Sequence, residues 1–231
     1  MNLLQRQHNI LAPLAAWLTV TALWIFSGTQ TAAYQSTGSA VARIEEDWEL
    51  IVAEPTTERA GPQVSTQMAR SQTAHRFCNF HLNSLDVPSY RQGGLQLQVW
   101  RGVDNIGITN STSSEVLNTP NERITWTQYL DLSSGSLSFG ISAASSQTWG
   151  DFSGLSVAVS GSAGSLDNYD PDYSKFNSGV TFGANRVNSM TLYCVRKIHA
   201  DGSVETDATL RAVYPADPAT IPPLGGGSTG N

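Results

Sequence analysis

The chain of 231 residues is poor in several residue types that carry chemistry. It has only two cysteines, and no histidine or cysteine lies at ligand spacing near either, so the pair is not expected to bind a metal. Charged residues make up 14% of the chain, and the basic residues form no cluster in the sequence. A nucleic-acid partner is therefore not expected. No G-x-S-x-G motif occurs, and no Cys–His pairing indicates a nucleophile.

Only one long apolar run is present, at residues 10–26. As a helix it would be about 25 Å long, short of the roughly 30 Å hydrocarbon core. Arg6 precedes it and small residues at 31–33 follow, so we expect residues 1–33 to be a signal peptide cleaved after Ala33. The alternative is an uncleaved anchor, which would be the chain's contact with a membrane. Both interpretations predict a secreted, periplasmic or cell-surface protein.

Apolar and polar residues alternate with period two through most of residues 43–214, and helical periodicity of useful length is missing. The apolar sets include Ile44, Trp48 and Leu50; Cys78, Phe80 and Leu82; Leu95, Leu97 and Val99; Ile124, Trp126 and Leu130; and Leu137, Phe139 and Ile141. About nine strands with one apolar face each predict an all-β antiparallel two-sheet β-sandwich, jelly-roll or concanavalin-like, after an N-terminal signal helix. We expect residues 34–42 to be a linker and the Pro- and Gly-rich residues 215–231 a disordered tail.

Two segments interrupt the alternation. Residues 104–121, rich in Asn, Ser and Thr, predict a long loop with one helical turn near 114–117. Residues 161–188, rich in Gly, Asp and Asn, predict a still longer loop of the kind that is functional or mobile. Short Ser/Gly and Asp/Gly sequences at 133–135 and 200–202 predict hairpin turns.

Cys78 and Cys194 each lie within a strand-like run. In an oxidising compartment, an even pair predicts one disulfide. Closing so large a loop would contribute on the order of 4–5 kcal/mol by the chain-entropy argument. Two buried free thiols are the alternative.

Four aromatic residues form a candidate glycan-binding set: Trp100, Trp149, Tyr169 and Tyr173. Trp100 lies on the glutamine-bearing face of its strand, and the other three lie in loop-like stretches. Exposed aromatic rings stack on sugars, and amide side chains supply hydrogen bonds to hydroxyl groups. The alternative is that these rings seal the ends of the sandwich.

Three aspartates, Asp167, Asp170 and Asp172, place carboxylate oxygens close together on one predicted loop. A hard cation such as calcium takes ligands of this kind, although the EF-hand pattern is missing. Asx turns around Pro171 are the simpler explanation of the same residues. No other cofactor is expected.

Glu45, Asp47 and Glu49 have the E-x-D-x-E spacing used by sandwich-fold glucanases. On a flat strand, residues four apart are about 13 Å apart, whereas retaining hydrolysis needs carboxyl groups about 5–5.5 Å apart. We therefore interpret them as an acidic face of an edge strand that discourages aggregation. Catalysis is not expected from them.

Residues 44–52 (IEEDWELIV), with Glu54, Pro55 and residues 60–64 (AGPQV), resemble the start of uncharacterised exported proteins of planctomycete bacteria, and residues 93–100 (GGLQLQVW) are also similar. The strand count and residues 126–152 are similar to lectin and glucanase sandwiches of the concanavalin type. The first resemblance implies a secreted protein of unknown role, and the second implies architecture without activity.

We expect a non-catalytic protein that binds glycan or cell-envelope components. The alternatives are a structural protein of the cell surface and, less favoured, a polysaccharide-acting enzyme.

Overall fold

Two antiparallel sheets packed together form the body of the protein, which confirms the predicted all-β sandwich. The computed structural model describes residues 38–54, 61–84, 93–113, 117, 119–133, 135–161 and 164–215. The predicted signal peptide (1–33), the first part of the predicted linker (34–37) and the tail at 216–231 lie outside the described residues. Within the described residues, no helix has the length and hydrophobicity needed to cross a bilayer.

The strands are β1 (Val41–Val52), β2 (Gln63–Ala69), β3 (Arg76–Leu82), β4 (Gly93–Arg101), β5 (Asp104–Ser113), β6 (Arg123–Ser133), β7 (Ser136–Ser145), β8 (Ser156–Ser160), β9 (Gly179–Phe182), β10 (Val187–His199), β11 (Val204–Asp207) and β12 (Arg211–Tyr214). One short helix, α1 (Pro171–Phe176), and a 3-10 turn (Ala184–Arg186) precede β9 and β10 respectively.

The first strand lies inside the larger sheet. The order of the seven-stranded sheet is β11-β10-β1-β6-β7-β8, and β12 also pairs with β10. Within this sheet, β11 pairs with the second half of β10 and β12 with its first half. The order of the five-stranded sheet is β5-β4-β3-β2-β9.

The predicted alternation is confirmed by burial along the strands. On β1, Ile44, Trp48 and Leu50 are buried, while the residues between them on the other face are partly exposed. Trp48 and Trp126 stack with ring centroids 6.1 Å apart, and Phe80 of the other sheet meets Trp126 edge-on at 5.7 Å. Fully burying a large apolar side chain stabilises a fold by about 1.5–3 kcal/mol, so this cluster is a main contact between the sheets.

The two predicted loops contain regular structure, so that part of the prediction is wrong. Residues 104–113 form β5, which pairs with β4 along its length despite its Asn, Ser and Thr content. Residues 161–188 contain α1, β9 and the 3-10 turn. Whether a segment forms a strand depends on the available partner more than on its residue types. For residues 104–113 that partner is β4. The hairpins joining β6 to β7 and β10 to β11 are confirmed.

The predicted disulfide is wrong, because both cysteines are free thiols. Cys78 points into the core from the five-stranded sheet and is fully buried. Cys194 lies on β10 of the other sheet and is partly exposed. Arg196 Nη1 lies 3.7 Å from its sulfur, on the outer face of that sheet.

A β-bulge in β10 explains the orientation of Cys194. Asp47 of β1 pairs with Cys194, but the next residue, Trp48, pairs with Leu192, so Tyr193 is an extra residue. Without the bulge, alternation from Met190 and Leu192 would turn Cys194 inward. The extra residue reverses the alternation, and Val195 takes the inward position instead.

We expect intact protein, analysed without reductant, to have the mass of two free thiols. Alkylation of the folded protein should add one group, at Cys194, while Cys78 should react only after denaturation because it is fully buried. Burial raises the pKa of both thiols, so the reaction at Cys194 should be slow. Mass spectrometry of tryptic peptides identifies the site, and a mass 2 Da lower than that of the reduced chain would contradict the assignment.

Candidate functional site

A carboxylate lies in the middle of the core. Glu46 occupies an inward position of β1 and is 0% exposed. Its Oε2 accepts hydrogen bonds from Trp48 Nε1 at 3.0 Å and from Gln128 Nε2 at 2.7 Å. Its Oε1 accepts a hydrogen bond from the hydroxyl of Tyr169. Both carboxylate oxygens are therefore hydrogen-bonded, as a buried charged or polar group requires.

The hydrogen bonds of Glu46 extend to the facing sheet. Gln128 lies on β6, and its Oε1 accepts a hydrogen bond from Thr66 of β2 at 2.6 Å. Ser174 of α1 lies beside Glu46, and its hydroxyl donates to the carbonyl oxygen of Gln67 on β2 at 2.5 Å. This buried polar network joins the seven-stranded sheet, the five-stranded sheet and α1.

Burial shifts the titration of this network. Desolvation raises the pKa of Glu46, and hydrogen bonds from Tyr169, Ser174, Trp48 and Gln128 only partly oppose it. Burial and the neighbouring Glu46 also raise the pKa of Tyr169. Because Glu46 and Tyr169 are both sealed from solvent, we assign the network a structural role.

Ion pairs cover the outer face of the seven-stranded sheet around β1. Glu45 pairs with Arg43 at 2.8 Å and with Arg196 at 3.0 Å. Asp47 pairs with Arg196 at 2.5 Å, and Glu49 pairs with Arg123. Arg43 also lies 3.8 Å from the ring centroid of Tyr129.

The acidic residues of β1 share one face as expected, but the edge-strand interpretation of that face is wrong. β1 has β10 on one side and β6 on the other. Each of Glu45, Asp47 and Glu49 has an arginine partner. The acidic pattern is therefore one half of a charge-paired surface in the middle of a sheet.

The outer face of the five-stranded sheet is uncharged and rich in amides. We call the side chains of Gln67, Asn79, Gln96, Gln98 and Asn110 the amide face; they occupy outward positions on β2 to β5. Gln96 Nε2 donates to Asn110 Oδ1 at 2.6 Å, and Gln98 donates to Gln96. These bonds hold neighbouring amides in fixed orientations.

Two aromatic rings continue the amide face towards one end of the sheet. Phe77 and Trp100 are cross-strand partners, with centroids 6.2 Å apart and planes within 6°. Trp100 Nε1 donates to Gln98 Oε1 at 2.7 Å. His81 lies beside Gln98 and forms a hydrogen bond with it. Burial lowers the pKa of His81, and the hydrogen bond with Gln98 only partly opposes this shift. The histidine is therefore neutral at pH 7, and the face carries no charge there.

Charged residues on β2 to β5 are confined to one end. The four strands contain only Arg76, Arg101 and Asp104, and these lie at the start of β3, the end of β4 and the start of β5. The two outer surfaces of the sandwich thus differ sharply: one is covered with ion pairs and the other with neutral amides.

The four aromatic residues of the predicted set lie in different places. Trp100 borders the amide face, where its ring is partly exposed. Trp149 packs against the edge of the core, and Tyr169 is buried against Glu46. Tyr173 is partly buried on α1. Of the four, Trp100 is the residue that the fold places beside amide side chains.

The three aspartates of the predicted metal site have separate structural partners. Asp167 accepts a hydrogen bond from the backbone N–H of Val41 at 2.8 Å. Asp170 caps α1, accepting from the backbone N–H of Asp172 at 2.9 Å. Asp172 pairs with Arg211 at 2.7 Å. In the described parts of the chain, no three His, Cys, Asp or Glu side chains are grouped to hold a metal ion.

Sequence analysis missed the buried polar network, although a signal for it existed. Glu46 lies two residues from both Ile44 and Trp48, and Gln128 lies two residues from both Trp126 and Leu130. In a strand, such residues share the inward face. A polar residue at an inward position of an apolar alternation therefore indicates a buried hydrogen-bonding site.

We expect Glu46→Ala to destabilise the fold by about 3–5 kcal/mol, because it leaves three buried donors, on Trp48, Gln128 and Tyr169, without their acceptor. Glu46→Gln keeps an acceptor for Trp48 and Gln128, and its amide N–H can donate to the Tyr169 hydroxyl. It should cost much less. Urea unfolding of both variants at pH 7 measures the difference, and equal losses would contradict the role of the hydrogen bonds.

We also expect Glu46 to make stability depend on pH. Because its folded-state pKa is raised, the folded protein binds more protons than the unfolded chain above the unfolded value of about 4.3. The contribution of Glu46 should therefore be greatest below pH 4.3 and decline as pH rises through its folded pKa. Urea unfolding of wild type and Glu46→Gln from pH 4 to 8 measures this pH-dependent contribution to the free energy of unfolding. Parallel curves would contradict the raised pKa.

Comparison with known proteins leaves the family open. No protein-family model and no curated protein matches the chain. A sandwich fold hosts many unrelated activities, so the fold alone does not assign a function to this chain.

Proposed function

We propose that this is an exported, non-catalytic protein that binds glycans or other envelope components of the cell surface, and that it binds them on the amide face beside Trp100. The observation that carries the proposal is the ordered row of neutral amides on the outer face of the five-stranded sheet, ending at the Phe77–Trp100 pair. The paired charges of the opposite surface provide no comparable row.

The chemistry of the amide face suits a hydroxyl-rich, uncharged ligand. Each Gln or Asn side chain offers one acceptor oxygen and two N–H donors, which complement hydroxyl groups that both donate and accept. A ring such as Trp100 offers an apolar surface with a negative face, on which the C–H groups of a sugar can pack. The hydrogen bonds between Gln96, Gln98 and Trp100 hold these groups in place before a ligand arrives, which reduces the ordering cost of binding.

The carboxylates of β1 give no support for hydrolysis. Glycosidases use two carboxyl groups that flank the substrate. Among the described residues, Glu46 is sealed in the core, and Glu45, Asp47 and Glu49 are bound to arginines. The polysaccharide-acting enzyme is for this reason the least favoured of the three functions.

A structural role in a surface layer is the second candidate, and β5 favours it. This ten-residue strand is an edge of the five-stranded sheet: among the described residues no strand pairs with its outer side, although Thr109 donates to the carbonyl oxygen of Ser156 on β8. Two apolar side chains near that edge are well exposed, Val103 at 91% and Ile108 at 51%. A long exposed edge can pair with another strand, so it suits assembly between copies of the chain.

We expect Trp100→Ala to weaken glycan binding at least tenfold, equivalent to about 1.4 kcal/mol, because it removes the ring and one hydrogen-bonded partner of Gln98. A glycan array of neutral and acidic polysaccharides identifies ligands, and affinity electrophoresis on the hits measures the loss. Phe176→Ala is the matched control, since Phe176 is also an exposed aromatic residue, 73% exposed on α1.

Binding that is equally strong in Trp100→Ala would place the site elsewhere. If no glycan binds and the wild type instead associates with rising concentration, the assembly role gains support. Ile108→Lys should then abolish that association, because it adds a charge at the β5 edge.

A further inference from the structure

Three arginines, at the ends of three neighbouring strands, lie in a row across one end of the five-stranded sheet. Arg76 begins β3 and pairs directly with Arg101, the last residue of β4. Met68 pairs with Cys78, so Arg70, which follows β2, continues this row on the next strand. All three are two residues beyond a buried inward side chain: Met68, Cys78 or Val99. They therefore occupy the first inward positions past the core, so the fold forms the basic cluster that the sequence does not.

This row places like charges side by side, an arrangement that destabilises a sheet. Among the described residues, neither Arg76 nor Arg101 has a carboxylate within ion-pair distance, whereas Arg43, Arg123, Arg196 and Arg211 all have one. Arg76 Nη1 is buried and has no hydrogen-bond partner in the same described set. Two guanidinium groups thus lack an anionic partner within the described ranges, although the formal charge of the full chain is −6.

The arginines line a cleft that also contains neutral hydrogen-bonding groups. The cleft has a volume of about 400 Å³, and its walls include Arg70, His75, Arg76, Arg101, Ser165 and Asn168. In the part of the chain that the structure describes, no Asp or Glu lines it. The volume falls in the range of about 300–1,000 Å³ that is usual for small-molecule sites.

Gly164 leaves room for one of these arginines. A Cβ atom on residue 164 would lie 1.3 Å from Arg70 Nη1, so the Arg70 guanidinium occupies the space that any side chain there would need. A glycine at this position therefore allows the segment carrying Ser165 to close over Arg70. The cleft is thus built from the sheet end on one side and this segment on the other.

We propose that this arginine cleft binds an oxyanion, that is, a carboxylate, sulfate or phosphate group. Guanidinium groups present parallel N–H donors that match two oxygens of such a group, and a bound anion would relieve the repulsion along the row. The side-chain amide of Asn168 can donate a further hydrogen bond, whereas the Ser165 hydroxyl already donates to Asp167. The cleft is separate from the proposed glycan face, but it adjoins it, because Phe77 and Trp100 are the neighbours of Arg76 and Arg101. A free inorganic anion and the acidic group of a polysaccharide are the two sources of this chemistry.

Nuclear magnetic resonance titration of the full chain with inorganic phosphate tests the proposal. We expect the Arg76 and Arg101 side-chain N–H signals to shift saturably with phosphate, and not with chloride at the same ionic strength. Arg76→Gln and Arg101→Gln should each weaken the apparent affinity at least tenfold. Arg123→Gln, which removes the same charge on the opposite sheet, should bind like wild type.

Thermal unfolding without oxyanion gives a second readout. Arg76→Gln should unfold at or above the wild-type temperature, since it removes repulsion from Arg101. A variant that unfolds earlier and a wild type without saturable shifts would together show that the arginines have a structural role, and would overturn the proposal. Equal phosphate affinity in wild type, Arg76→Gln and Arg101→Gln would also overturn it.

Titration with oligogalacturonate separates the two sources. Binding that is tighter than that of phosphate and is weakened in both Arg76→Gln and Trp100→Ala would identify an acidic polysaccharide that spans the cleft and the amide face. Phosphate binding that persists while Trp100→Ala leaves every glycan unaffected would support the cleft and count against the proposed glycan face.

Discussion

The structure depends on how Glu46 is satisfied inside the core. A carboxylate removed from water needs hydrogen bonds on both oxygens, and here the donors come from its own strand, from β6 and from the segment that leads into α1. These partners can meet only when β1 and β6 are in their observed register and Tyr169 has entered the interior. Thr66 of the facing sheet donates to Gln128, so the position of that sheet relative to β6 is fixed as well. Apolar side chains would tolerate small slips between the sheets, whereas this hydrogen-bond network does not.

This network also explains why segment 161–188 is structured in spite of its composition. Tyr169 and Ser174 contact Glu46, and Asp170 caps the helix that carries Ser174. The sandwich interior thus holds a segment whose sequence resembles a loop. The same segment supplies Ser165 and Asn168 to the arginine cleft, so its anchoring in the core also shapes that cleft.

The two outer surfaces follow from the same alternation but have different chemistry. On the seven-stranded sheet, outward residues of β1 and its neighbours are charges that pair with one another. On the five-stranded sheet they are amides and aromatic rings, and the charged residues lie at one end. Charged side chains that are already paired with one another have few hydrogen-bonding positions left for a ligand. The neutral amides can exchange bound water for the hydroxyl groups of a ligand.

Sequence alone predicted the sandwich and the inward face of each strong strand, because period-two alternation is a local property. It did not predict which strands are neighbours, so β1 was placed at an edge although it lies between β10 and β6. One extra residue, Tyr193, turns Cys194 to the outer face of its sheet, whereas Cys78 points into the core. Arg70, Arg76 and Arg101 look scattered until the register of three strands brings them into one row. Glu46 was missed as well, although its inward position in the alternation indicates burial.

The central place of β1 has a consequence for biogenesis. Its partner β6 follows in the middle of the chain, but its other partner, β10, is among the last strands to be synthesised. While the chain emerges from a ribosome or a translocation channel, the side of β1 that pairs with β10 stays unpaired until β10 has emerged. Pairing between strands that are distant in sequence slows folding. The chain therefore stays unfolded, and able to pass through a narrow channel, for longer.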